Sequence, residues 1–215
     1  MNSLRTAWKA YQAEGLPARL HVAVRAVTCP FEALIERFPT TGALLDVGCG
    51  HGLLINLLAR HPSRRRLKLH GIDHDCAKIE SARGTALPGV EFSCKNLKDF
   101  QNGAFDAVSM VDVLYTVRRS VWSAILLECA RVLRPGGRLI VKEVVDRPRW
   151  KYWAIMAQEA LSVRVFGITK GERPHFESPE TYRAAIAAAG FAVVEARPLP
   201  SATWISHYLF VARKS

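Results

Sequence analysis

Leu44-Leu45-Asp46-Val47-Gly48-Cys49-Gly50-His51-Gly52 decides how the rest of the chain is read. A short apolar run ends in an acid, three glycines follow at every second position, and Leu53 to Ala59 continues with helical apolar periodicity. That order predicts a buried strand, a tight turn and a helix. Glycines in such a turn permit positive φ and let a ligand approach the main chain with no Cβ between. The following helix aims unpaired N–H groups and the positive end of its dipole into the turn. The turn therefore suits something polar, partly anionic and pressed against backbone.

The spacing narrows the ligand. A dinucleotide turn reads G-x-G-x-x-G and seats a pyrophosphate. Here the spacing is G-x-G-x-G with Asp46 just ahead of it, and an acid repels pyrophosphate but suits an ammonium group. No Gly-Lys-Ser/Thr follows, so a phosphate loop is excluded. An amino-acid nucleoside remains. Leu44 to Gly52 resembles the first motif of class I, Rossmann-like, S-adenosylmethionine-dependent methyltransferases, of the small-molecule type.

Further segments carry the resemblance in order. Leu67 to Ile72 reads as a second strand, closed by Asp73-His74-Asp75. An acid there can bind ribose hydroxyls, which places Asp73 on the sugar and His74 beside the adenine. A short third strand, Gly89 to Cys94, leads into Lys95-Asn96-Leu97. The family most often has Asp at this point to hold the adenine amino group; this chain offers Asn96. Gly103 to Tyr115 resembles the Phe-Asp-x-Val strand and the loop lining the transfer site, so Asp112, Leu114 and Tyr115 are expected near the sulfonium. Leu133-Arg134-Pro135-Gly136-Gly137 resembles the family's helix-to-strand turn, and Val121 to Leu133 reads as the amphipathic helix before it. A helix opened by Ser178-Pro179-Glu180 and two final strands, Phe191 to Ala196 and Thr203 to Arg213, complete the order.

The resemblance implies an α/β fold: a seven-stranded, mostly parallel Rossmann-like sheet with helices on both faces and the last strand antiparallel. It implies S-adenosyl-L-methionine as cofactor, S-adenosyl-L-homocysteine as product, and a cofactor site of Asp46, Gly48, Cys49, Gly50, Gly52, Asp73, His74, Asn96, Leu97 and Asp112. Residues 1–39 are expected to form an N-terminal helical cap, with Trp8, Tyr11, Leu16, Leu20, Val24 and Val27 as its apolar positions. Residues 40–215 form the methyltransferase domain, with a helical lid inserted at about 147–177. The lid is expected from the aromatic run Trp150 to Phe166 behind Arg147, Arg149 and Lys151.

Composition bounds the partners. The net charge is +11 over 215 residues, which favours acidic partners: an anionic membrane face, an acidic carrier protein or nucleic acid. The aromatic run favours an apolar small acceptor, lipid-like or presented on a carrier. Nucleic acid is disfavoured, because the Asn/Asp-Pro-Pro-Tyr/Phe stretch of base N-methylating relatives is replaced by Asp112-Val113-Leu114-Tyr115. RNA methylation and cofactor binding without catalysis remain the competing readings. Five cysteines, an odd count without a C-x-x-C pair, predict reduced thiols, and neither a disulfide framework nor a zinc site. No signal core or membrane-length apolar run is evident, so a cytoplasmic protein is expected. An acceptor that must lose a proton needs a base; Tyr115 and His175 are the leading candidates, with His51 and His207 behind them.

Overall fold

The computed structural model describes residues 3–64, 66–146, 175–201, 203 and 205–215. A seven-stranded sheet in the order β3-β2-β1-β4-β5-β7-β6 runs through the molecule. Its strands are β1 (Thr41–Val47), β2 (Arg66–Ile72), β3 (Val90–Ser93), β4 (Phe105–Val111), β5 (Leu133–Val144), β6 (Phe191–Pro198) and β7 (His207–Lys214). The first five pair in parallel, while β7 lies antiparallel between β5 and β6. This is the Rossmann-like order expected from the sequence. The order reverses beside β1, so β1 and β4 leave a crevice at their carboxyl ends, the usual ligand position in such a sheet.

Strand alternation divides the core. Leu44, Ala107, Ile140 and Leu209 face one layer, and Leu45, Val108, Leu139 and Phe210 face the other. The first layer is covered by α1 (Ser3–Ala10), α2 (Leu16–Thr28), α3 (Phe31–Ile35) and α4 (Leu53–Arg60). Ile79 and Ala82 of α5 (Cys76–Gly84) pack there too, against Phe92. The second layer is covered by α6 (Trp122–Val132) and α7 (Pro179–Ala188), joined by stacking of Trp122 on Tyr182 with ring centroids 4.8 Å apart.

Local chemistry fixes the ends of these elements. Asp75 caps α5 by accepting the N–H groups of Ala77 and Lys78, and Ser178 caps α7 by accepting that of Thr181. Asp106 accepts the Ala43 N–H at 2.7 Å and pairs with Arg134 at 2.7 Å. The Phe-Asp motif and the Arg-Pro-Gly-Gly turn are thus two halves of one clasp that holds β4 to the start of β1.

Several expectations need correction. Cys76 and Cys94 form a disulfide, against the prediction of reduced thiols; parallel pairing of β2 with β3 brings their Cα atoms to 5.2 Å, within disulfide reach. The Arg134–Arg138 turn is absorbed into β5 as an irregularity in its pairing with β4. On α6 it is Trp122, not Val121, that turns inward; Val121 is exposed. Of the apolar positions chosen for the cap, only Tyr11 is buried: α1 and α2 bury Ala7, Val22 and Ala26, and present Trp8, Leu16, Leu20, Val24 and Val27 outward. The helix expected at Trp150–Phe166 lies outside the described residues. Among the described residues no helix is long and apolar enough to cross a membrane.

Candidate active site

The glycine turn is shaped by three backbone demands. Gly48, Gly50 and Gly52 all have positive φ. A Cβ on Gly48 would meet Val113 at 2.7 Å, and one on Gly52 would meet Phe92 at 2.5 Å, so these two serve close packing. A Cβ on Gly50 would meet nothing within 4 Å. Gly50 therefore faces the open crevice, where a ligand can lie against bare main chain.

Acids surround the turn. Asp73 is 8% exposed; its two carboxylate oxygens accept the Gly50 N–H at 2.8 Å and the Asp75 N–H at 2.9 Å. A carboxylate has roughly four acceptor positions, so ribose hydroxyls can still be accommodated. His74 stands 3.3 Å from Asp73 with its ring almost fully exposed. Asp46 is buried and, among the described residues, accepts from the hydroxyl of Ser109, its register partner on β4, at 2.7 Å. Burial pushes the Asp46 carboxyl up to about 7, with the Ser109 bond working against the shift. Burial also raises the Cys49 thiol, reinforced by Asp46 and Asp73, which keeps it protonated. Asn96 is exposed at the start of a single 3-10 turn; its N–H is held by Asp99 at 2.9 Å, and Leu97 is buried beneath. These residues fit a nucleoside with an amino-acid tail: a bare glycine for close approach, a buried acid for the sugar, and a second acid whose charge is incomplete without a cation.

The other half of the crevice is built from residues far apart in sequence. Asp112 follows β4 and is the one non-glycine residue with positive φ among those described. Its carboxylate is held between Arg25 of α2 and Lys142 of β5, the latter at 2.6 Å. Burial opposes ionisation, but Lys142 and Arg25 outweigh it and hold Asp112 well below the usual carboxylate range. Next along β5, Glu143 accepts the N–H groups of Val113, Leu114 and Tyr115 at 3.1, 2.9 and 3.4 Å. Burial and nearby Asp112 push Glu143 up to about 8, so this loop clamp is largely neutral at pH 7. Arg25 and Lys142 thus set two cations against the Asp112 carboxylate. Among the described residues Arg25 donates to Asp112 alone, and its planar fork has further donors for a ligand.

The candidate bases separate. His175 donates its backbone N–H to the Tyr115 carbonyl at 2.9 Å, and Phe176 packs on the Tyr115 ring with centroids 5.1 Å apart. His207 is buried; its Nε2 donates to the Thr28 carbonyl at 2.8 Å and burial lowers it to about 3, so it ties the cap to the sheet. His51 contacts Ser81 through Nδ1 at 3.1 Å, beside the glycine turn. Tyr11 donates to the His51 carbonyl at 2.5 Å and accepts from Asn56, fixing α1 to the same turn.

Residues 23–196 match the family described as a methyltransferase domain. The chain belongs to this family. It is a class I methyltransferase in fold and sequence. A ubiquinone biosynthesis O-methyltransferase of Alkalilimnicola ehrlichii is 32% identical over 124 residues, 55% of this chain and 48% of the relative. The chain thus spans about half the length of the curated relatives it matches. A methyltransferase structure from Methanosarcina mazei superposes with a TM-score of 0.65 at 22% identity, over 85% of this chain and 96% of the other. Geranyl diphosphate C-methyltransferase from Streptomyces coelicolor A3(2) gives 0.66 at 18%, over 86% and 75%. At such identities the two structures testify to the fold.

Sequence reasoning missed Arg25, Ser109, Lys142 and Glu143 of this methyltransferase. One signal was available: a cation and an acid inside the apolar run Leu139 to Val145, where charges are rare unless paired. Arg25 gave none, since nothing in the sequence of α2 says which residue will meet β4.

Proposed function

We propose that the chain transfers a methyl group from S-adenosylmethionine to an oxygen of an apolar small-molecule, lipid-like or carrier-bound acceptor, acting in the cytoplasm. The observation that carries the reading is the meeting of His175, Phe176 and Tyr115 beside the Arg25–Asp112 pair. The name of the O-methyltransferase relatives supports oxygen as the methylated atom.

The cofactor supplies an activated methyl group, so the protein's work is orientation, dry surroundings and handling of one proton. Gly50 and Asp73 would hold the nucleoside, Asp46 its ammonium group, and Asn96 with Leu97 the base. Phe176 and Tyr115 offer an aromatic wall to an apolar acceptor. His175 would accept the acceptor's hydroxyl proton, the role for which an imidazole is suited at neutral pH. The further donors of the Arg25 guanidinium would favour the resulting oxyanion.

The test uses methyl-labelled cofactor, the purified chain, and separate lipid, small-molecule and RNA fractions of a cell extract. Label in the lipid or small-molecule fraction is expected, with His175→Ala lowering turnover by about 100-fold and Tyr115→Phe by much less. Label in RNA would replace this reading with the one the +11 charge favours. Cofactor binding without any label would leave a binding protein.

A further inference from the structure

Nine large apolar side chains are exposed among the described residues, and six of them lie on two helices: Leu4 and Trp8 on α1, and Leu16, Leu20, Val24 and Val27 on α2. Spacings of four, four and three residues put the α2 set on one stripe, and Leu4 and Trp8 are four apart on α1. The exposures are large, from 41% at Leu4 to 75% at Leu16. The opposite faces of the same helices bury Ala7, Val22 and Ala26 in the core. A helix pair that is apolar on its outer side as well as its inner one is incomplete in water.

Charge indicates what completes it. Neither α1 nor α2 contains an acid, and Arg5, Lys9 and Arg19 border the stripe. The Arg19 guanidinium lies over the Trp8 ring, 4.7 Å from its centroid. An aromatic ring with a cation on it at the edge of an apolar strip suits the boundary between lipid headgroups and acyl chains. Self-pairing through a two-fold axis would set this strip against its own copy and bring like charges together.

We propose that the outer face of α1 and α2 docks the protein on an anionic phospholipid bilayer, with Leu16, Leu20, Val24 and Trp8 entering the interface and Lys9 and Arg19 meeting headgroups. The docking face is the back of the wall that carries Tyr11 to the glycine turn and Arg25 to Asp112. A lipid-like acceptor would then have a short path from the bilayer to the crevice. The inference stands on this surface alone and not on the acceptor proposed above, because binding is measured without cofactor or acceptor.

The full chain is sedimented with vesicles of phosphatidylcholine alone and of phosphatidylcholine mixed with phosphatidylglycerol. Binding to the mixed vesicles is expected, weak binding to the neutral ones, and release by salt. Leu20→Glu/Val24→Glu should reduce binding by about tenfold or more, with circular dichroism and cofactor affinity unchanged. Should that variant unfold, Lys9→Glu/Arg19→Glu carries the same test through the rim charges alone. Absence of binding to the mixed vesicles overturns the proposal, as does binding that neither variant weakens. A concentration-dependent dimer that Leu20→Glu/Val24→Glu abolishes, without vesicle binding, would assign the stripe to a second copy instead.

Discussion

Asp46 and Asp112 stand at the carboxyl ends of neighbouring strands, both bury their carboxylates, and live in opposite electrostatic worlds. Among the described residues Asp46 has the Ser109 hydroxyl for company, and it is pushed up to about 7 by burial. Asp112 has two cations and is held ionised. The side of the crevice around Asp46 is thus left with a charge unfinished, which a ligand's ammonium group would complete. The side around Asp112 is finished in advance by its own ion pairs. A carboxylate's role is set by what the fold brings to it, and adjacent positions on one sheet can be given different roles.

The largest effect should come from breaking the finished half. Lys142 is fully buried, and its Nζ lies 2.6 Å from Asp112. Lys142→Met strips one partner from a buried charge, which costs about 3–5 kcal/mol of stability by urea unfolding. Arg25→Met should cost less stability, because 29% of that side chain is exposed and water can replace it, yet more activity. Pairing Lys142→Met with Asp112→Asn should recover much of the loss. A cost near the ~0.5 kcal/mol of an ordinary surface change would show that the cluster does not hold this half together.

The unfinished half should respond in affinity more than in stability. Gly50 has a φ of 55° and open space where a Cβ would go. Gly50→Ala should therefore cost about 1–2 kcal/mol in folding for the left-handed backbone, while its methyl group intrudes on the cofactor. Asp73→Asn weakens two charge-assisted bonds to the Gly50 and Asp75 N–H groups, for an affinity loss of about 10–100-fold by calorimetry. If both variants bind cofactor like the parent protein, the crevice over Gly50 is not where the nucleoside lies.

The two halves also differ in how much the sequence reveals. Asp46, the glycines, Asp73, the Phe105-Asp106 strand start and the Arg134-Pro135-Gly136-Gly137 turn are local signals: each sits at a strand end or a turn. Sheet order followed from the same signals. Arg25 meets Asp112 across 87 residues and Lys142 meets it across 30, so their union depends on tertiary packing that no periodicity encodes. The apolar spacing of the cap was legible, but not its facing: Tyr11 turns inward and Trp8, Leu16, Leu20, Val24 and Val27 outward. The Cys76–Cys94 bond was missed because an odd cysteine count says nothing about two residues that strand pairing brings together.

The most discriminating effect is the pH dependence of the two acids. For Asp46 the folded state raises the pKa from its ordinary 3.8 to about 7, so folding favours the protonated form. Its contribution to stability is complete below pH 3.8, falls as pH rises through 7, and is lost above. Asp112 has the opposite sign: its contribution is present above the ordinary carboxylate range and is lost on acidification. Asp46→Asn should therefore flatten the stability profile between about pH 4 and 7, with a difference of at most about 4 kcal/mol between the ends of that window. Glu143 titrates in both proteins and cancels from the difference. Repeating the measurement with saturating cofactor sharpens the comparison. An ammonium group against Asp46 would favour its ionised form and shrink the fall. A fall unchanged by cofactor would mean that the Asp46 carboxylate looks elsewhere, and the asymmetry between the two halves would then lie in the protein alone.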